Sequence, residues 1–325
     1  MTLSRRNFLH LAAGTVALPC LSRFALAQAY PTKPVRIIVG FGSGSSFDIL
    51  ARLTGQWLSD RLGQPFVIEN RGGAGGNLGT ENVVRASADG YTLLLCGSPD
   101  TINATLYDKL SFNFIRDIAP VASIARGPNV LVVHPSFPAK TISEFIIHAK
   151  ANPGKINFAS AGVGSVSHMA GELFKAMAGV NLVHVPYRGQ PAALTDLIAG
   201  QVQVDFATMP PSLELIRAGK LRALAVTSMT RSEALPELPI IGDVLPGYEA
   251  MQVAALGAPR NTPAAIVERL NKEINAALAD PGIKARLAEL GNEPMPMTIA
   301  GFGKFIAEET EKWGKVIRAT NIKPE

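Results

Sequence analysis

Short runs of β-branched and apolar residues alternate along the chain with stretches whose apolar positions recur every three or four residues, and small-residue loops join the two. Val35-Arg36-Ile37-Ile38-Val39 reads as a strand. It ends in Gly40-Phe41-Gly42-Ser43-Gly44-Ser45-Ser46. A helix follows, with Ile49, Leu50, Leu53, Trp57, Leu58 and Leu62 on one face and Gly63 as its stop. Phe66 to Asn70 is a second strand, and Arg71 to Asn77 a second glycine loop before a helix through about Ala86. Tyr91 to Cys96 is almost wholly apolar, the pattern of a parallel strand covered on both faces.

A second set of elements begins near Asn129. Strands are predicted at Val130 to Val133, Ile156 to Ser160, Val183 to Val185, Val202 to Ala207 and Leu221 to Val226. Helices are predicted at Thr141 to Ala151, from Ser165 to about Ala178, and at Ala192 to Ala199, the first capped by Thr141 or Ser143. After a proline-rich stretch, Met251 to Ala258 reads as a returning strand. The last third is helical: Pro263 to Leu278 with Thr262 as cap, Ile283 to Leu290, and about Phe302 to Ala319. The order predicts an α/β fold of two lobes. Lobe 1 comprises 28–125 plus 250–325 and lobe 2 comprises 126–249, with the strands around Ser123 to Val133 and Met251 to Ala258 as the hinge.

The first 27 residues differ from the rest. Arg5-Arg6 with Phe8-Leu9, a short apolar run to Leu18, and Ala25-Leu26-Ala27 form an export signal with cleavage after Ala27. The paired arginines fit the twin-arginine class, and the general secretory route remains the alternative. About 20 apolar residues are needed to span a bilayer, so the run is no permanent anchor. Cys20 follows Leu18-Pro19, a poor match to a lipidation site. The chain of 325 residues has a formal charge of +5, which raises the question of an anionic partner. The signal holds three arginines and no acid, so the exported part carries only +2, and a nucleic-acid partner is not expected. With 47% hydrophobic residues the chain is not disordered, and two cysteines make no disulfide scaffold.

Spacing removes several chemistries. No Gly-x-Ser-x-Gly elbow and no GxxxxGK[ST] loop occurs. His134, His148, His168 and His184 form no His-Glu-x-x-His or similar pair, so neither a metal nor a cofactor is expected. What recurs is strand, small-residue loop, helix start, at 40–48, 71–77 and 161–165. Such starts present unpaired N–H groups with the positive end of the helix dipole behind them, and they bind anions. The candidate ligand-binding residues are therefore Phe41, Gly42, Ser43, Gly44, Ser45, Ser46, Asp48, Ala74, Gly75, Asn77, Gly164 and Ser165. Ser98, Ser160 and Asp205 at strand ends, His168 in the following turn and Tyr187 complete the set. Asp48, at a helix start, is expected to orient a water or the loop amides rather than to meet an anion.

Tyr30-Pro31-Thr32-Lys33-Pro34-Val35-Arg36, Glu69 to Asn77, Asp89 to Leu94, Val185-Pro186-Tyr187-Arg188-Gly189 and Gly200 to Phe206 together resemble the substrate-binding proteins of tripartite tricarboxylate transporters, the TctC or Bug family. The resemblance runs through the mature chain in order. It implies a periplasmic type II "Venus flytrap" that closes on a small carboxylate, held by backbone N–H groups and waters, and delivers it to a membrane permease pair. It implies no enzymatic step, and a monomer. The family's first loop runs Pro-Phe-x-x-Gly-Gly-x-x-Asp. Here Gly40 to Asp48 carry Ser45 at the second glycine and a bulkier Phe47, which leaves the identity of the carboxylate open. An exported hydrolase or transferase, and a sensor partner that presents ligand to a receptor, stand as the alternatives.

Overall fold

In the computed structural model, which describes residues 30–320 and 322–324, two sheets share one strand. The first sheet is built from β1 (Val35–Val39), β2 (Phe66–Asn70) and β3 (Thr92–Gly97), all parallel, with β1 in the middle. Side chains alternate across it. Ile37, Val39, Leu93 and Leu95 enter one apolar cluster, while Ile38, Leu94 and Cys96 enter the cluster on the opposite face. That double burial is why these strands read as continuous apolar runs.

The shared strand is β4 (Ile118–Val133), 16 residues long. The long strand β9 (Met251–Pro259) lies antiparallel between β3 and the first part of β4, from Ile118 to Pro128. From Asn129 onward β4 belongs to the second sheet. There it pairs with β7 (Val204–Thr208) and β8 (Arg222–Val226), and β7 continues through β5 (Asn157–Ser160) to β6 (Val183–Pro186). A two-residue β10 (Glu293–Pro294) pairs with β4 beside Arg126 and Ala125. In the second sheet Leu131, Val133, Phe158, Val204 and Phe206 face one cluster, and Val130, Val132, Ala159 and Ala207 face the other. This is the two-lobed α/β architecture expected of a solute-binding protein, joined by two adjacent strands.

The helices are α1 (Ser46–Leu62), α2 (Asn77–Val84), α3 (Ser98–Leu106), α4 (Phe114–Asp117), α5 (Ile142–Ala151), α6 (Val166–Ala178), α7 (Gln190–Ile198), α8 (Met209–Arg217), α9 (Ala264–Ala279), α10 (Pro281–Glu289) and α11 (Ile299–Thr320). Three of these, α3, α4 and α8, are not predicted by the pattern. α3 and α8 begin directly after a strand with no loop, and the prolines that suggest breaks, Pro99 and Pro210, sit in the first helical turn, where no N–H is needed. The cap assignments mostly follow expectation: Thr141 Oγ1 accepts from the Glu144 N–H at 3.2 Å. Thr262 is the exception. Pro263 holds the cap position of α9 in extended geometry, without a side-chain cap bond.

α11 departs from a simple assignment to one lobe. Phe302 and Ile306 pack in a first-sheet cluster, whereas Trp313 and Ile317 pack with Phe145, Phe158 and Phe174 against the second sheet. Ile102 and Leu106 of α3 reach the same second cluster. The two helices thus bracket the joint from one side. No helix of the described residues is long and apolar enough to cross a membrane. The predicted signal and its cleavage point lie outside those residues.

Candidate functional site

Five helices start at one cleft between the sheets. Its wall is formed by Ser45, Ser46 and Phe47 at the head of α1, Pro99 of α3, Ser165 to Ser167 at the head of α6, Gln190 of α7 and Thr208 before α8, with Phe41, Ala161 and Gln252 between them. About 290 Å³ of atom-free space lies inside, solvent at the mouth included. The wall carries no Lys, Arg, Asp or Glu. A wider mouth of about 900 Å³ adjoins it, sharing Phe41 and Ala161 and bordered by Gly73 to Gly76, Val163, Tyr187 and Arg188.

Two of the five helix heads are built alike. Ser45 caps α1 with φ −69° and ψ 161°, and its Oγ accepts from the Asp48 N–H at 3.3 Å. Ser165 caps α6 with φ −72° and ψ 160°, and its Oγ accepts from the His168 N–H at 3.3 Å. The first intrahelical bonds run from Ile49 N to Ser45 O and from Met169 N to Ser165 O. The Ser46, Phe47, Val166 and Ser167 N–H groups therefore precede the helical ladder and point out of its end. One pair comes from each sheet's side of the cleft. Prolines at the heads of α3, α7 and α8 lack an N–H, so the backbone donors are concentrated on α1 and α6.

Asp48 holds the first loop in shape. It is buried and accepts from the Gly44 N–H at 2.9 Å, Arg52 Nε at 3.0 Å and Nη2 at 2.9 Å, and Asn70 Nδ2 at 3.0 Å. Burial alone would raise its pKa, but the bonds from Arg52, Gly44 and Asn70 together with the Arg52 charge bring it below the usual value. Its charge is thus turned away from the cleft and neutralised by Arg52. Through its bond from the Gly44 N–H it fixes that amide of the first loop.

The remaining candidates divide into wall and support. Phe41, Ser45, Ser46 and Ser165 line the cleft, and Phe41, Ala74, Gly75 and Tyr187 line the mouth. Gly42 contributes loop backbone, its carbonyl accepting from the Ser45 N–H, and Ser43 Oγ donates to Asp48 at 3.4 Å. Ser98 does not line the cleft: its Oγ accepts from the Val253 N–H at 2.8 Å and ties α3 to β9. Asn77 Oδ1 accepts from Asn103 Nδ2 at 3.2 Å, and Ser160 Oγ bonds His184 Nε2 at 2.7 Å. His168 is buried, stacks on His184 at 4.2 Å between ring centroids, and its Nδ1 accepts from the Gly164 N–H. Burial first, then His184 and Lys175, push it down to about 3, so it is neutral and no acid or base for the cleft. The Tyr187 hydroxyl donates to Asp196 at 2.8 Å, and burial together with Asp196 and Asp205 pushes it up to about 12. Asp205 stands behind Gln190, which contacts it through Nε2.

The sheets' loops meet at the mouth. A Cβ placed on Gly164 would lie 1.9 Å from Asn103 Oδ1, and one on Gly75 would lie 2.2 Å from the Val163 carbonyl oxygen. Both glycines have positive φ, +81° and +62°. α3 and the loop before α6 are thus in direct contact, as are the loops that carry Gly75 and Val163.

Eight wall residues lie outside the candidate set: Phe47, Ala161, Val166 and Ser167 adjoin residues that are in it, and Gln190, Thr208, Pro99 and Gln252 stand apart. Gln190 follows the Tyr187-Arg188-Gly189 loop and is detectable there by the strand, loop, helix rule. Thr208 and Pro99 sit at helix starts that the rule misses because no loop precedes them. Gln252, whose Nε2 donates to Ser46 Oγ at 2.6 Å, is the second residue of β9 and carries no local signal. Among the described residues no group of three or more His, Cys, Asp or Glu side chains is placed to hold a metal ion.

Comparison with known proteins matches residues 50–322 to the tripartite tricarboxylate transporter family receptor, TctC. Protein BugT of Bordetella pertussis is 37% identical over 300 residues, covering 91% of this chain and 92% of that one. Among solved structures, R. palustris Rpa4515 with adipate superposes with a TM-score of 0.89 at 36% identity, covering 91% of this chain and all of the other. MatC (Rpa3494) from Rhodopseudomonas palustris with bound malate gives 0.84 at 32% identity, covering 89% of this chain and all of that one.

Proposed function

This chain belongs to the tripartite tricarboxylate transporter receptor family, and from that premise we propose that it captures a small carboxylate outside the cytoplasm by closing its two lobes and hands it to a membrane permease pair. The observation that carries the reading is the matched pair of helix heads, with the Ser46, Phe47, Val166 and Ser167 N–H groups offered from opposite sides of a cleft that holds no charged side chain. Charge-assisted bonds of this kind contribute about 1.5 to 3 kcal/mol each, and both sets reach one ligand only when the lobes are together. Ligand capture and closure are thereby linked.

The wall also favours a particular kind of acid. Phe41 and Phe47 stack with centroids 5.2 Å apart and an interplanar angle of 17°, and Pro99 and Val166 extend the apolar surface. A carboxylate with a hydrocarbon body fits this surface better than a densely hydroxylated one. The adipate bound by Rpa4515 is of that kind. Export and signal removal near Ala27, a monomeric state and the absence of a catalytic step belong to the same reading.

Calorimetric titration of residues 28–325 with adipate, malate, citrate and benzoate tests it. Saturable binding of at least one acid, with no turnover, is the expected result. Failure of mono-, di-, tri- and aromatic carboxylates alike, or chemical conversion of any of them, would overturn it.

A further inference from the structure

Gln190 and Asp205 are both wholly buried, and their contact is unusual. Gln190 Nε2 lies 2.5 Å from Asp205 Oδ2, shorter than N–H···O bonds normally run but within the range of O–H···O bonds. Beside it, Gln190 Oε1 and Asp205 Oδ1 are buried with no hydrogen-bond partner. An orphaned amide oxygen next to a cleft suited to anions is a poor arrangement twice over. It forfeits a bond, and it places a negative dipole where a carboxylate is to be received. Exchanging the nitrogen and oxygen of the amide, which are distinguished only by their bonding, gives the oxygen a donor if the acid carries a proton and leaves the NH₂ at the cleft, where an incoming carboxylate supplies its acceptor.

We propose that Asp205 is a neutral carboxylic acid whose O–H donates to Gln190 Oε1, and that it thereby acts as a positioning residue, turning the Gln190 NH₂ toward the cleft as a ligand donor. Gln190 stands at the head of α7, after Gly189, and its side chain forms part of the wall. Thr208 Oγ1, three residues beyond Asp205 and also on the wall, is likewise without a protein partner. The two polar groups sit on neighbouring elements of the second lobe. With Asp205 protonated both can donate.

The surroundings of Asp205 favour the neutral form. Its backbone pairs with Val132 of β4 and Ala159 of β5, and no cation faces it from either strand. On its side of the sheet stand Tyr187 and Asp196, bonded to each other, Arg188 beside Tyr187 at the mouth, and the exposed Glu214–Arg217 pair of α8. The opposite side faces α6 with neutral His168 and the paired Glu172 and Lys175. Burial raises the Asp205 carboxyl well above its usual range, and the bonds from Gln190 and the Phe206 backbone do not offset it.

That Nε2 meets a carboxylate rests on the function proposed above, whereas the protonation of Asp205 does not. The test has two parts. In ligand-free protein labelled with carbon-13 at the aspartate carboxyl, the Asp205 resonance, assigned by its loss in Asp205→Asn, should sit at the protonated position at pH 7. An ionised resonance there overturns the proposal. In titrations with adipate from pH 6 to 10, wild-type affinity should fall as pH rises through the Asp205 titration, while Asp205→Asn, which keeps a neutral donor, should stay within about threefold and lose the pH dependence. Gln190→Ala should lower affinity about tenfold or more. An Asp205→Asn profile that still follows the wild-type fall, or a Gln190→Ala affinity unchanged within twofold, also refutes it. If neither adipate nor malate binds the wild type, the carboxylate reading fails and the resonance still decides the state of Asp205.

Discussion

Replacing Gly164 by alanine separates the cost of a backbone conformation from the cost of closing the lobes. With φ at +81°, an alanine there costs about 1 to 2 kcal/mol wherever the lobes stand. That part appears as lower stability in urea unfolding without ligand. The added methyl would also lie 1.9 Å from Asn103 Oδ1, a contact that exists only while α3 and the loop before α6 are together. Asn103 is not free to withdraw. It is buried, and its Nδ2 donates to the Gly75 carbonyl at 2.9 Å and to Asn77 Oδ1 at 3.2 Å. Giving up two such bonds costs about 2 kcal/mol. If that cost falls on the closed form alone, affinity drops about 30-fold. Calorimetry with adipate on residues 28–325 measures it. Truncating the obstacle should restore affinity, so Gly164→Ala with Asn103→Ala should bind more tightly than Gly164→Ala alone. An affinity within threefold of wild type, or no recovery in the double variant, would refute the account.

Four further outcomes are expected, at three residues. Asp48→Ala leaves the Gly44 N–H without its acceptor, costs Asn70 Nδ2 one of its two bonds and unpairs Arg52, and should lower stability by about 2 to 3 kcal/mol, read as a shift in urea midpoint. Because the folded Asp48 carboxyl titrates below its unfolded value near 3.9, its stabilisation is present above that pH and lost as pH falls through the folded value; Asp48→Asn should flatten acid unfolding there. His168 titrates near 3 when folded against about 6.5 unfolded, so the unfolded chain takes up a proton in between and stability declines as pH drops below 6.5; the slope between pH 6 and 4 should shrink by about one proton in His168→Phe, and an unchanged slope would contradict the burial argument. Phe47→Ala removes one ring of the stacked pair and should weaken adipate more than malate in parallel titrations, with equal losses counting against an apolar body in the cleft.

How much of this was legible in the sequence depended on whether the signal was local. The strand, loop, helix units at 40–48 and 161–165 were readable because Ser45 and Ser165 are capping residues followed by an apolar periodicity, and both became helix heads at the cleft. The same rule did not distinguish residues that face the cleft from those one layer behind. Ser98 and Ser160 look like Ser45 in sequence, yet their hydroxyls are taken by β9 and by His184, partners distant in the chain. The hinge strand is read from about Ser123, whereas β4 starts at Ile118, and Gly127-Pro128 fall where it leaves its pairing with β9 and enters the second sheet. α8 was hidden by Pro210-Pro211, which here fill a first turn rather than end an element. Gln252 was invisible because its importance comes from Ser46 at the head of α1, 206 residues away in the chain.

The joint itself has one more consequence. Where two lobes are connected by loops, the segments that bend are also the segments a protease can grip. Here the connection is β4 beside β9, with their amides paired to each other or to neighbouring strands and most of their side chains buried. Any rotation is spread as twist along a paired ribbon instead of being concentrated in a loose turn. Digestion should therefore nick the surface loops long before it parts the lobes, and the two halves should remain together as a nicked but ligand-competent pair.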